Sequence, residues 1–240
     1  MKNIISSFNT KIFLLETLTD IFKDNIEIQK LYLDSVDLAK RSVTLTKRFY
    51  RFKYVICKFV AIARYIETSN NNINDDLFLD YEVYINNICV ESNILFGLSS
   101  TRKSSDSPIR IINESLKLQK KANEMKVQNT FLNITGYLTR FNEFKEEFKK
   151  FKKDNNDVLE IIKDNRNQYS AHNDLDFKDK EINIDKVIEG FIILNNAWYE
   201  MLKTIGVLSE QFNSSIKSWT LDDFHMETTR IFNLITKESV

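Results

Sequence analysis

The 240-residue chain carries 34 Lys+Arg and 34 Asp+Glu, a formal net charge of zero, with 42% hydrophobic and 28% charged residues, an ordinary mixture for a chain that buries a core. It has only 4 glycines and 1 proline, where average usage gives about 17 and 12. That deficit excludes folds built from many tight turns and predicts an all-α protein.

The four glycines, Gly97, Gly136, Gly190 and Gly206, stand too far apart to write a dinucleotide fingerprint or a Walker A loop. Balanced charge gives no bulk nucleic-acid signature and leaves room only for a local basic surface. Cys57 and Cys89, in VICKF and NICVE, match no CxxC or zinc spacing and read as buried small hydrophobes of a reducing compartment. Two histidines, His172 and His225, cannot build a histidine-rich metal cage. The N-terminal stretch is cut by Glu16 and Asp20, unlike a signal peptide, and no run approaches the length of a charge-free membrane span. The expectation is a cytoplasmic protein with no membrane segment, no metal and no cofactor.

A first helix is predicted over residues 4–23, from Ile5, Phe8, Ile12, Leu15 and Leu18 at the helical period. A long second helix is predicted from Ile26 to Thr68, ending in the polar stretch TSNNNIND, and a third from Asp75 to Leu95, stopping at Gly97. Loops are therefore expected near 68–75 and 97–107. Ser107 as cap and Pro108 as first helical residue open a stretch running to about Lys153, with a break near Gln128–Asn129. DNND reads as connector and cap for a shorter helix from Asn156 toward His172. Two more are expected over Asp185–Phe212 and Leu221–Thr236. No repeat or composition shift divides the chain, so the prediction is one domain over 1–240, a multi-helix up-and-down bundle of about seven helices.

Within the fourth stretch, Ile134, Tyr137, Phe141, Phe144, Phe148 and Phe151 alternate steps of three and four. Such a seam is first a core signal, since burying each ring is worth about 1.5–3 kcal/mol. Trp198 and Trp219 read as core or interface anchors for the same reason.

The sharpest local pattern is DNRNQYSAHND, residues 164–174. His172 can change protonation near neutral pH, and the Arg166 guanidinium is a fixed fork that matches a phosphate. Together they are a minimal kit for cleaving RNA without a metal. A base takes the 2′-OH proton, the oxygen attacks phosphorus, and a cation stabilises the phosphorane. Six residues along a regular helix leave the two about 120° apart around the axis and about 9 Å along it. They converge on one phosphate only if the helix ends between them or a second subunit supplies one. The competing reading pairs Arg166 with Asp164 or Asp174 and makes His172 a helix C-terminal cap.

RNQYSAHND resembles the signature of the HEPN superfamily, an arginine followed by a polar residue and, four to six residues on, a histidine; five residues intervene here. Ala before His and Asp two after it are most similar to the abortive-infection and toxin-like branches. The resemblance covers some ten residues in detail, and the all-helical character agrees with it. It implies a HEPN-like helical bundle that dimerises with the two motifs facing each other. It also implies metal-independent endoribonuclease activity on an RNA substrate, in anti-phage defence or a toxin–antitoxin system with a cognate antitoxin or defence-system protein. In that frame Arg166 binds or stabilises the scissile phosphate, His172 is the general acid or base, Asn167 holds the pair in register or contacts RNA, and Asp174 orients the imidazole. Branches silenced by nucleotidylation carry a tyrosine where this chain has Asp174, a departure that speaks against that control.

A second, weaker RNA signal lies on the long helix. Lys40, Lys47, Arg51 and Lys58 fall within about 20° of one line, with Tyr54 close by and Leu38, Leu45, Phe49, Phe52, Ile56 and Ala63 opposite. A basic ridge with a ring can track phosphates and stack a base, although such a row is more often a solvated face. Asp222, Asp223, His225 and Glu227 resemble metal ligands only superficially. Ser170 beside His172 lacks an oxyanion loop and a third group, which rejects a serine hydrolase. The alternative to the nuclease is a non-catalytic helical interaction module that binds RNA or a protein partner.

Overall fold

A computed structural model describes residues 1–68, 75–98, 107–127, 137–171, 181–205, 207 and 218–238. Among these residues the protein is all-α, with helices α1 (Lys2–Ile21), α2 (Ile26–Thr68), α3 (Asp75–Leu95), α4 (Pro108–Glu124), α5 (Tyr137–Asp154), α6 (Asn156–Ala171), α7 (Ile184–Thr204) and α8 (Leu221–Glu238). None of these helices is long and apolar enough to cross a membrane. The expected loops at 68–75 and 97–107 fall largely outside the described residues.

Backbone chemistry sets the helix ends. Asn25 Oδ1 accepts the Ile28 N–H at 3.2 Å and starts α2. Gly97, at φ 61°, closes α3, with Leu98 N–H returning to Asn93 O at 2.9 Å. Helix α4 ends earlier than the break expected at Gln128–Asn129. There Lys126 takes the left-handed conformation at φ 55° and Val127 N–H bonds Ala122 O at 3.1 Å, a closure that no glycine announces. Ser107 stands at the cap position of α4, but its side chain makes no capping bond. The expected DNND connector shrinks to Asn155. Its N–H bonds Phe151 O at 3.0 Å while its own carbonyl accepts from Leu159 at 3.2 Å, so helical bonding continues through it. Helix α7 stops at Thr204 rather than Phe212, with Val207 N–H on Leu202 O at 3.1 Å.

The chain divides into two compact units, the first formed by Met1–Arg48, Asp106–Phe148 and Ile193–Ser218 and the second by Phe49–Ser105, Lys149–Ile192 and Trp219–Val240. In the first, Ser35, Ser42 and Thr46 are buried on α2 yet satisfied, each hydroxyl donating to the carbonyl four residues back at 2.8 Å. Trp198 of α7 is fully buried there and donates its indole N–H to Thr46 Oγ1 at 3.1 Å. Phe141 and Phe148 of the aromatic seam are buried and Phe144 half-buried, as a core seam requires; Ile134 and the Tyr137 side chain lie outside the described residues.

Helix α4 meets α2 through an ion cluster. Glu114 accepts from Arg41 Nη1 at 2.6 Å and Arg110 Nε at 2.9 Å. Partial burial opposes its charge, yet the two guanidiniums outweigh that and hold the carboxyl below its ordinary value of 4.5. A carboxyl lowered on folding stabilises the folded state above the unfolded value and loses that contribution as pH falls through the folded value. The stability gap between wild type and Glu114→Gln is therefore expected to stay flat above about pH 5 and to shrink on acidification below about pH 4. Urea titrations across that range check it; a gap that widens on acidification contradicts the cluster.

In the second unit Phe191 of α7 is the hub, with ring centroids at 5.8 Å from Phe49, 5.0 Å from Phe52 and 5.8 Å from Trp219. The Lys53 ammonium caps Trp219 at 3.7 Å from the ring centroid. Helix α3 packs against α6, and Lys152 Nζ donates to Phe96 O at 3.2 Å just beyond the α3 C-terminus. Gly190 lets α7 approach closely, since a Cβ there would stand 2.6 Å from Phe151 Cε1 and Cζ and 3.0 Å from Phe96 Cζ. Gly190→Ala gains about 1 kcal/mol of helix propensity but costs about 1–3 kcal/mol in overpacking. The expected result is a lower urea midpoint at unchanged slope; a raised midpoint would mean that the rings move aside freely.

Candidate functional site

Helix α6 belongs wholly to the second unit, and its inner face is written by Val158, Leu159, Ile162 and Asn165, all buried at steps of one, three and three. Asp157 in the first turn suits the helix dipole. Arg166 follows Ile162 by one turn, so it emerges at the margin of the buried face, half-buried, while Asn167 beside it is exposed. Arg166 Nη1 donates to Asn167 Oδ1 at 3.0 Å, using one of the five guanidinium N–H groups to fix the fork's direction. The residue just after the arginine thus accepts one of its N–H groups.

Helix α6 is unbroken to Ala171. His172 and Asp174 lie outside the described residues, as does the Ser170 side chain. The structure therefore brings Arg166 and Asn167 together and describes no distance from either to the imidazole. Asn165 was not singled out in the sequence, yet it is buried directly before the arginine. An amide at an inner-face position is the signal that could have marked it.

The predicted basic ridge reaches the surface in an altered electrostatic state. In the first unit Lys40 pairs with Glu16 at 2.9 Å and Lys47 is exposed. In the second, Arg51 donates to Asn87 Oδ1 at 3.3 Å and Tyr54 is 50% exposed. Lys58 is half-buried, 3.6 Å from Asp80 and 5.0 Å from the Tyr84 ring centroid. Burial opposes the Lys58 charge, but Tyr84 and Asp80 outweigh it and hold the ammonium above its ordinary range. A phosphate arriving at this row competes with partners already seated, which weakens it as an electrostatic track. Arg230 of α8 lies near enough to Tyr54 to interact with its charge, a neighbour that spacing on one helix could not reveal.

The remaining candidates turn out structural. Asp223 and Thr220 form a reciprocal cap at the start of α8, with Thr220 N–H on Asp223 Oδ2 at 3.1 Å and Asp223 N–H on Thr220 Oγ1 at 3.2 Å. Glu227 binds Arg230 through both oxygens, at 3.0 and 2.7 Å, and exposed His225 meets Phe224 edge-on. Among the described residues no group of three or more His, Cys, Asp and Glu could hold a metal ion. Cys57 and Cys89 are both buried. Burial pushes the Cys57 thiol up to about 12, so it stays protonated and is a poor nucleophile.

No protein-family model matches the chain, and neither does any curated protein or solved structure among those compared.

Proposed function

We propose that this chain is a metal-independent endoribonuclease of the HEPN type, acting through Arg166 and His172. The observation that supports the reading is Arg166, the first residue of the RNQYSAHND string, lying in the last turns of α6 with its guanidinium at the surface margin and bonded to Asn167. His172 accepts the ribose 2′-OH proton as the 2′-oxygen bonds to phosphorus. The bond from phosphorus to the 5′-oxygen breaks, and that oxygen takes up a proton. The products are a 2′,3′-cyclic phosphate and a 5′-hydroxyl. Arg166 stabilises the equatorial oxygens of the phosphorane, and Asp174 orients the imidazole. DNA has no 2′-OH and is not a substrate.

Because six residues along a regular helix hold Arg166 and His172 about 120° apart, the site is a composite one, with the imidazole of one protomer serving the guanidinium of its partner in a homodimer. The biological setting is cytoplasmic, in anti-phage defence or beside a cognate antitoxin. A second reading, a non-catalytic module that binds RNA or a protein partner, draws on the exposed Lys47 and Tyr54 of the ridge. Purified protein incubated with total RNA in excess chelator separates the two. The nuclease reading expects cleavage that survives chelation and expression that slows host growth. Intact RNA together with retained RNA binding would replace it by the module.

A further inference from the structure

Helix α1 is apolar on two sides and buries only one. Its inner face, Ile4, Phe8, Leu15 and Thr19, is buried in the first unit. On the opposite face Asn3, Ser6, Thr10, Phe13, Leu14, Thr17 and Ile21 are exposed, Phe13 at 66%, Ile21 at 64% and Leu14 at 47%. That stripe holds no charge along its length. Its hydroxyls are turned onto their own helix, Thr10 Oγ1 on Ser6 O at 3.1 Å and Thr17 Oγ1 on Phe13 O at 2.9 Å, so covering them costs little. An apolar strip of this kind is a contact surface rather than a solvated face.

The stripe is asymmetric in two ways that together select its occupant. Asn3, Ser6 and Thr10 fill its N-terminal half, while the large residues Phe13, Leu14 and Ile21 all stand in its C-terminal half, with Thr17 among them. Exposed Lys2 and Asp20 stand at opposite ends along one edge, eighteen residues or about five turns apart. We infer that this face docks a second copy of the chain, α1 against α1 in antiparallel two-fold symmetry. Antiparallel pairing lays Phe13 of one protomer over the Ser6–Thr10 stretch of its partner and Ile21 over Asn3. It also sets each Lys2 beside the partner's Asp20. A parallel pair would stack large on large and like charge beside like charge. The strip is about 27 Å long and about 10 Å wide, about 270 Å² a side and below a standard interface, so the pair is weak and reversible. The inference does not rest on the nuclease reading.

Sedimentation velocity from about 1 to about 100 µM tests it. The wild type is expected to pass reversibly from monomer to dimer over that range. Phe13→Glu weakens association about tenfold or more. Lys2→Glu and Asp20→Lys each weaken it, and the double substitution restores it. Thr10→Cys, close to the two-fold axis, forms a disulfide-linked dimer on oxidation, whereas Cys57 and Cys89 are buried. A wild type that remains monomeric throughout overturns the inference. So does a dimer indifferent to Phe13→Glu, or one in which Thr10→Cys does not cross-link. A dimer that cleaves no RNA leaves it standing, whereas RNA cleavage by a strict monomer overturns both it and the composite site while leaving Arg166 and His172 as the catalytic pair.

Discussion

His172→Ala is expected to lower the rate of RNA cleavage in chelator by about 10²–10⁴-fold, the range for loss of a general acid or base. Arg166→Ala should cost a similar factor, because a cation aimed at the developing phosphorane charge acts only in the transition state. Arg166→Lys keeps the charge and loses the planar fork, so it should recover only part of the rate. Asn167→Ala removes the acceptor that now holds Arg166 Nη1 at 3.0 Å. It should slow cleavage less than either catalytic substitution while leaving the fold intact, since Asn167 is exposed. Initial rates on a defined RNA, with circular dichroism on each variant, separate chemistry from folding. Full activity in His172→Ala would remove the assignment.

Phe191→Ala is the stability change with the largest expected effect. The ring is fully buried and touches Phe49, Phe52 and Trp219. Truncation should cost about 3–5 kcal/mol from lost transfer energy and the residual cavity. Against the about 5–15 kcal/mol that typical domains possess, that is a large fraction of the total. Phe191→Leu keeps most of the volume and should cost far less. Phe13→Ala, at an exposed ring, should stay within about 0.5 kcal/mol in dilute monomeric protein. Urea denaturation followed by tryptophan fluorescence checks all three, because Trp219 packs on Phe191. A Phe191→Ala variant as stable as wild type would show that the hub is loosely packed.

What could be read in advance follows the range of the forces involved. Helices α2 and α3 run between the residues expected, Ile26–Thr68 and Asp75–Leu95, because apolar period, an Asn cap and a following glycine are local signals. The end of α4 was not legible, since a lysine takes the left-handed position at 126. Helix α1 shows the limit of periodicity. Of Ile5, Phe8, Ile12, Leu15 and Leu18, which recur at the helical period, Phe8 and Leu15 are buried and the other three half-buried, while Phe13, Leu14 and Ile21 stand outside. A helix apolar on both sides does not say which side the core will take. In the candidate site, the bond between Arg166 and Asn167 joins sequence neighbours. Asp80 and Tyr84 on Lys58, and Arg230 beside Tyr54, come from helices remote in sequence. No spacing rule on α2 could supply them, and they change the charge that the ridge presents.

The ends of the RNA fragments made in the presence of excess chelator report most directly on whether a guanidinium and an imidazole drive 2′-OH attack. Fragments ending in 2′,3′-cyclic phosphate and beginning with 5′-hydroxyl, made by wild type and lost in both Arg166→Ala and His172→Ala, are the predicted result. Fragments with 3′-hydroxyl and 5′-phosphate ends, or cleavage equal in all three proteins, would contradict it.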